Sequence, residues 1–289
     1  MEYNDIVLMK ITEKKSDFER HFRADDNKYA DDVPEKKIVF IVHALSVMGL
    51  KDDSCLKNIT QFKKLLSYYF VHLDKFDIFL IPMANPDGFM QTFVNVYANK
   101  NMSPQSACSG VALDRNFDVA WNDSTSISSC SPQYPGPRPF SEPESRAIRD
   151  VLHRYSHKLL AYIHVHAGSY NHEIFKGHAV LYPKGYTDVQ SDDDKYIDLR
   201  GEIDEAMKNA SFHVMSVAVD TLYNWYGKVS GTSVDYASTI YGIPYALEFV
   251  MQPYETIYLE TAALEQIWKR IIDVTFNNIF RSMENFEFK

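Results

Sequence analysis

The stretch IVFIVHALSVMG, residues 38–49, decides the fold. Its first five residues are consecutive, mostly β-branched apolar side chains, the pattern of a strand covered on both faces, as the inner strands of a parallel sheet are. His43 closes that run, with Ser46 three residues on. The apolar segment 38–50, broken by these two residues, is shorter than the roughly 20 apolar residues a bilayer-spanning helix needs. Similar runs at 6–11, 76–82, 159–166 and 245–251 read as further strands. Between them lie helical patterns. Residues 55–70 place Ile59, Phe62, Leu66 and Tyr69 on one face, and 142–155 do the same with Ile148, Val151, Leu152 and Tyr155. The segment 193–225 reads mostly as helix, as does 261–280. Strands alternating with helices predict an α/β architecture, a mixed, largely parallel sheet sandwiched by helices, over a single domain spanning 1–289. Ligands of such sheets sit beyond the carboxyl ends of the strands, where both His43 and His166 stand.

Composition narrows the partners. With 45% hydrophobic and 24% charged residues, the chain has the apolar material for a substantial core and does not read as disordered. A formal net charge of -9 without clustered Lys and Arg argues against nucleic-acid and anionic-membrane partners and favours small molecules, peptides or proteins. The N-terminal MEYNDIVLMKITEKK has neither the charge pattern nor the small-residue cleavage site of a signal peptide. Three cysteines, Cys55, Cys108 and Cys130, permit at most one internal bridge and lack metal-binding spacing. The sequons at Asn58, Asn101, Asn122 and Asn209 are of a kind frequent by chance. The stretch 99–140, rich in Ser, Asn, Pro and Gly, reads as a long ordered loop, and loops of that length in compact domains are commonly functional.

Several segments carry a resemblance: NPDGF (85–89), GVALDRNFD (110–118), YPGPRPFSEPESRAIRD (134–150), AYIHVHAGS (161–169), VLYPKGY (180–186) and SGTSVDYASTIYGIPYALEF (230–249). In this order and separation they resemble the funnel-type zinc metallocarboxypeptidases, the pancreatic carboxypeptidase A and B family. That resemblance implies a zinc ion held by two histidines and a glutamate, with water in the fourth position. It assigns His43 and His166 as ligands and implies a disulfide between Cys108 and Cys130, with export from the cell. Arg115 would grip the terminal carboxylate of a peptide or protein substrate, and Val234 would form an aliphatic pocket floor suited to aromatic or aliphatic C-terminal residues.

The departures from the family pattern are as informative. Ser46 stands where the glutamate ligand belongs, and a neutral hydroxyl brings no charge to offset zinc, so weak or absent binding is expected. His172, Glu173 and His178, in a longer segment after His166, are possible replacements. Ala98 takes the place of the arginine that polarises the scissile carbonyl. Asp114 replaces the asparagine beside Arg115 and would compete with a substrate carboxylate for that guanidinium. The catalytic tyrosine falls in a deletion, leaving Tyr226 nearest. The general base aligns with Glu248 or, without a gap, with Val250; either way Glu248 faces the pocket by strand alternation. The family's N-terminal helix and strand, and its propeptide, have no counterpart in this chain. These differences imply a metallocarboxypeptidase homologue with lost or strongly reduced peptidase activity that binds peptide C-termini. The alternative is an active zinc carboxypeptidase using Glu248 as base.

Overall fold

The computed structural model describes residues 4–13, 36–47, 66–95, 98–121, 127–167, 178–189, 194–209, 217–251 and 258–287. Seven strands form a single sheet: β1 (Met9–Ile11), β2 (Ile38–His43), β3 (Asp77–Ile81), β4 (Leu159–Ala167), β5 (His178–Tyr182), β6 (Val217–Thr221) and β7 (Tyr245–Met251). Their spatial order is β1-β3-β2-β4-β7-β5-β6. The pairs β3/β2, β2/β4, β4/β7 and β5/β6 are parallel, whereas β1/β3 and β7/β5 are antiparallel. The sheet is therefore mixed and largely parallel. Helices α1 (Pro86–Thr92), α2 (Pro143–Tyr155), α3 (Asp194–Asn209), α4 (Leu222–Tyr226), α5 (Ser233–Tyr241) and α6 (Tyr258–Glu287) accompany it, with a 3-10 turn at Leu113–Arg115.

Strand alternation divides the interior into two apolar layers, one on each face of the sheet. Phe40, Val42, Tyr162, Ala246 and Val250 join Leu113, Leu152 and Val234 on the side of α2 and α5. Val39, Ile41, Ile163, Leu247 and Phe249 join Tyr69, Leu199, Trp268 and Ile271 on the side of α3 and α6. By the same alternation His164, His166 and Glu248 belong with the first layer, while His43 falls on the second. Both central strands β2 and β7 span the ranges their apolar runs predict.

Two expectations need correction. The segment expected to be mostly helix between 193 and 225 holds strand β6, because Val217, Val219 and Thr221 alternate inward at the edge of the sheet while Ala218 and Asp220 are only partly covered. His178, named as a possible replacement ligand in the segment after His166, is a strand residue instead. It opens β5, buried with its ring edge-on to Trp268 at 5.8 Å. His172, Glu173 and Cys55 lie outside the described residues, as does most of the expected helix 55–70, of which 66–70 is helical.

Candidate functional site

The site is built where β4 and β7 run side by side. Their register pairs His164 with Glu248 and His166 with Val250, so the ungapped base position, Val250, lies beside His166 and is wholly buried in apolar surroundings. The Glu248 side chain reaches one pair further along: its Oε1 accepts a hydrogen bond from His166 Nε2 at 2.8 Å and another from the Tyr226 hydroxyl. Tyr226 comes from α4, which Thr221 caps by accepting from the Asn224 N–H. Burial alone would raise the Glu248 carboxyl, but the hydrogen bond and charge of His166, the pull of His164 and the Tyr226 hydroxyl outweigh it and hold the group at about 2.

The 3-10 turn brings Asp114 and Arg115 in from the opposite side. It is tied down by backbone bonds from Phe117 to Gly231 and from Gly231 to Val119. Asp114 Oδ1 accepts from the Ser233 N–H at 2.9 Å and the Ser233 hydroxyl at 2.6 Å, at the start of α5. Arg115 Nη1 donates to the Asp114 carbonyl and, at 3.0 Å, to Asp114 Oδ2. Arg115 and Asp114 thus form a buried ion pair with each other. Val234, the expected pocket floor, is wholly buried. Its neighbour Asp235 accepts the Gly185 N–H on both carboxyl oxygens, and burial pushes its carboxyl up to about 7.

His43, opposite Val165 in the sheet, turns toward the second layer. Its Nε2 lies 3.2 Å from the hydroxyl of Tyr69, a residue of the second layer, and burial together with nearby His164 pushes the imidazole down to about 3. The next residue, Ala44, takes a left-handed backbone (φ 54°). Ser46 is buried, with its hydroxyl donating to Asn99 Oδ1. At Ala98 there is no cationic side chain, and the nearby Lys100 ammonium donates to the Ser129 carbonyl at 2.8 Å. Cys108 and Cys130 form a disulfide, 22 residues apart in sequence. Asn101 is buried and donates to Glu142 and Glu144, an arrangement that leaves no room for a glycan in the folded state.

At the implied zinc position the residues offer the ion less than the two-histidine, one-glutamate set, with no carboxylate at 46 and both Nε2 atoms engaged. His43 faces Tyr69 from the second layer, His166 commits Nε2 to Glu248, and Ser46 offers a neutral hydroxyl already bonded to Asn99. Among the described residues, three metal-ligating side chains do converge elsewhere: Asp114, His164 and Glu248, with ligand atoms all within 4.8 Å of one another. The family resemblance assigned roles to His43 and His166 and none to His164. Its signal was the spacing His-Val-His, which puts both imidazoles on one face of β4. Nothing local in the sequence could have told that Asp114, 50 residues earlier, would meet them.

A family model described as zinc carboxypeptidase matches residues 4–273. Carboxypeptidase B of Helicoverpa zea is 30% identical over 219 residues, covering 69% of this chain and 49% of that protein. Carboxypeptidase A4 of Mus musculus is 31% identical, covering 68% of this chain and 45% of its own length. The chain thus spans about half the length of the curated relatives it matches. Among solved structures, carboxypeptidase A from Helicoverpa armigera superimposes with a TM-score of 0.72 at 21% identity, covering 96% of this chain and 66% of that one. Bovine thrombin-activatable fibrinolysis inhibitor, in complex with tick carboxypeptidase inhibitor, gives a TM-score of 0.65 at 25% identity, over 85% of this chain and 84% of its own.

Proposed function

Because the chain belongs to the zinc carboxypeptidase family, we propose that it is a homologue whose peptidase chemistry is lost or strongly reduced and whose remaining capacity is to bind peptide or protein C-termini in the inherited cleft. The observation that carries this reading is that the groups at the catalytic positions are bonded to one another or to neighbouring side chains. Ser46 is bonded to Asn99, Arg115 to Asp114, and Glu248 to His166 and Tyr226. A general base works best with its pKa near the operating pH, and a carboxylate held at about 2 is a poor one. With Ala98 in place of a cation, the charge that would develop on the scissile carbonyl has no guanidinium to meet it. The loss of one such donor costs about 10²- to 10³-fold in rate.

What supports residual recognition is Arg115, the natural partner of a terminal carboxylate; Val234, next in sequence to the Ser233 that bonds Asp114, is aliphatic and offers no countercharge to a buried Lys or Arg. Asp114 holds the guanidinium from within, so a tail must displace Asp114 Oδ2, and affinity will be modest. An extracellular setting fits the family resemblance and the disulfide. No helix among the described residues is long and apolar enough to cross a membrane.

The test is enzymatic and calorimetric. Hydrolysis of N-blocked dipeptides should be undetectable, with or without added zinc, and Ser46→Glu should leave it so because Ala98 and the base remain as they are. Peptides ending in Phe or Leu should bind more tightly than those ending in Lys or Arg, and Arg115→Ala should abolish the difference. Chelator-sensitive turnover comparable to that of a digestive carboxypeptidase would reverse the first conclusion. Preference for basic tails, or binding that survives Arg115→Ala, would reverse the second.

A further inference from the structure

We infer that Asp114, His164 and Glu248 bind one divalent cation of the zinc class, at a position shifted from the strand end marked by His43 into the β4–β7 face beneath α5. The inference goes beyond the functional reading above and stands whether or not hydrolysis is lost, since it concerns where an ion is held and not what is turned over.

The first ground is an unmet need. His164 is fully buried, and neither of its ring nitrogens makes a hydrogen bond. Glu248 Oε2, also buried, makes none either. Buried polar atoms are nearly always satisfied, so these orphaned atoms call for a partner, and one ion held by His164 Nδ1 and Glu248 Oε2 meets two of the three. These atoms converge: His164 Nδ1 is 3.7 Å from Asp114 Oδ1 and 3.9 Å from Glu248 Oε2. With metal–ligand bonds of about 2.0–2.2 Å, a tetrahedral ion needs its ligands roughly 3.3–3.6 Å apart. All three ligand atoms lie within 4.8 Å of one another, so side-chain movement of about an ångström draws them to that spacing.

The second ground is the surrounding support. Ligands of a metal are usually oriented by hydrogen bonds to their remaining atoms. Here Glu248 Oε1 is fixed by His166 and Tyr226, which leaves Oε2 turned toward His164. Asp114 Oδ2 takes Arg115, while Oδ1 takes the Ser233 N–H and hydroxyl. Two carboxylates balance a doubly charged ion, and one imidazole among them selects the zinc class over calcium or magnesium, which prefer oxygen alone. Arg115 lowers the attraction for a cation, and its place on the far oxygen of Asp114 limits that effect.

The experiment uses the full chain, stripped with chelator and titrated with zinc against a chromophoric competitor. One equivalent should bind. His164→Asn and Glu248→Gln should each weaken it by at least tenfold, and His43→Gln should leave it within about twofold. X-ray absorption of the zinc-loaded wild type guards against variants that fail to fold: one imidazole with oxygen ligands supports the site, and two imidazoles overturn it. Absence of stoichiometric zinc, or binding lost in His43→Gln but kept in Glu248→Gln, likewise overturns it.

Discussion

Asp235 shows how one residue can be buried for its geometry at a cost in charge. It follows Val234 in α5, is wholly buried, and holds the Gly185 N–H between its two oxygens. Desolvation pushes its carboxyl from 3.8 up to about 7. The sign of the consequence follows directly. Between these values the native state keeps a proton that the unfolded chain has released, so this group's contribution to stability is fully present below 3.8 and is lost as the pH rises toward 7. At about 1.4 kcal/mol per pKa unit, the swing is on the order of a few kcal/mol. Asp235→Asn removes the titration. Urea unfolding at pH 4.5 and 7.5 should show the variant gaining on the wild type at the higher pH, whatever its baseline. A difference that does not change with pH would show that the carboxyl titrates normally in the fold.

At the scale of elements, the connection before α5 fixes the turn that carries Asp114 and Arg115. Gly231 has φ +72°, and a Cβ there would stand 2.3 Å from the Arg115 carbonyl oxygen. Gly231→Ala should therefore destabilise by about 2 kcal/mol or more, through left-handed strain plus a clash with backbone that has nowhere to go. Chemical denaturation measures it, and a loss under 1 kcal/mol would mean that the turn shifts freely. The disulfide acts on the same loop from its other side. Opening it with Cys108→Ser should cost about 3 kcal/mol by the chain entropy of the loop it closes. These elements also show what was legible beforehand. The long apolar runs of β2 and β7 announced themselves because both faces are covered, so burial leaves an unbroken signature. Strand β6 did not, since VAVDT is short, lies at the sheet edge and runs directly into the helical LYNWY. At the site, the histidines on β4 and Glu248 on β7 were readable from alternation. The internal pairing of Asp114 with Arg115 was foreseen as a competition, whereas the approach of Asp114 to His164 depends on how a distant turn docks against the sheet.

For the whole molecule, the decisive feature is that one sheet serves two separate apolar layers. Leu152 on α2 packs only in the first and Ile271 on α6 only in the second, and both are wholly buried. Each truncated to Ala should lose roughly 2–5 kcal/mol. Because no side chain is shared between them among the described residues, the double variant should equal the sum within about 0.5 kcal/mol, as measured by urea unfolding of all four proteins. Coupling well beyond that would mean that the sheet transmits packing changes from face to face. If the sum holds, the layers are separate accounts of descent: substitutions can accumulate among the polar residues on the α5 side while the α6 side, untouched, continues to specify the fold. A lineage could then rewrite its chemistry on one face and still inherit the same architecture from the other.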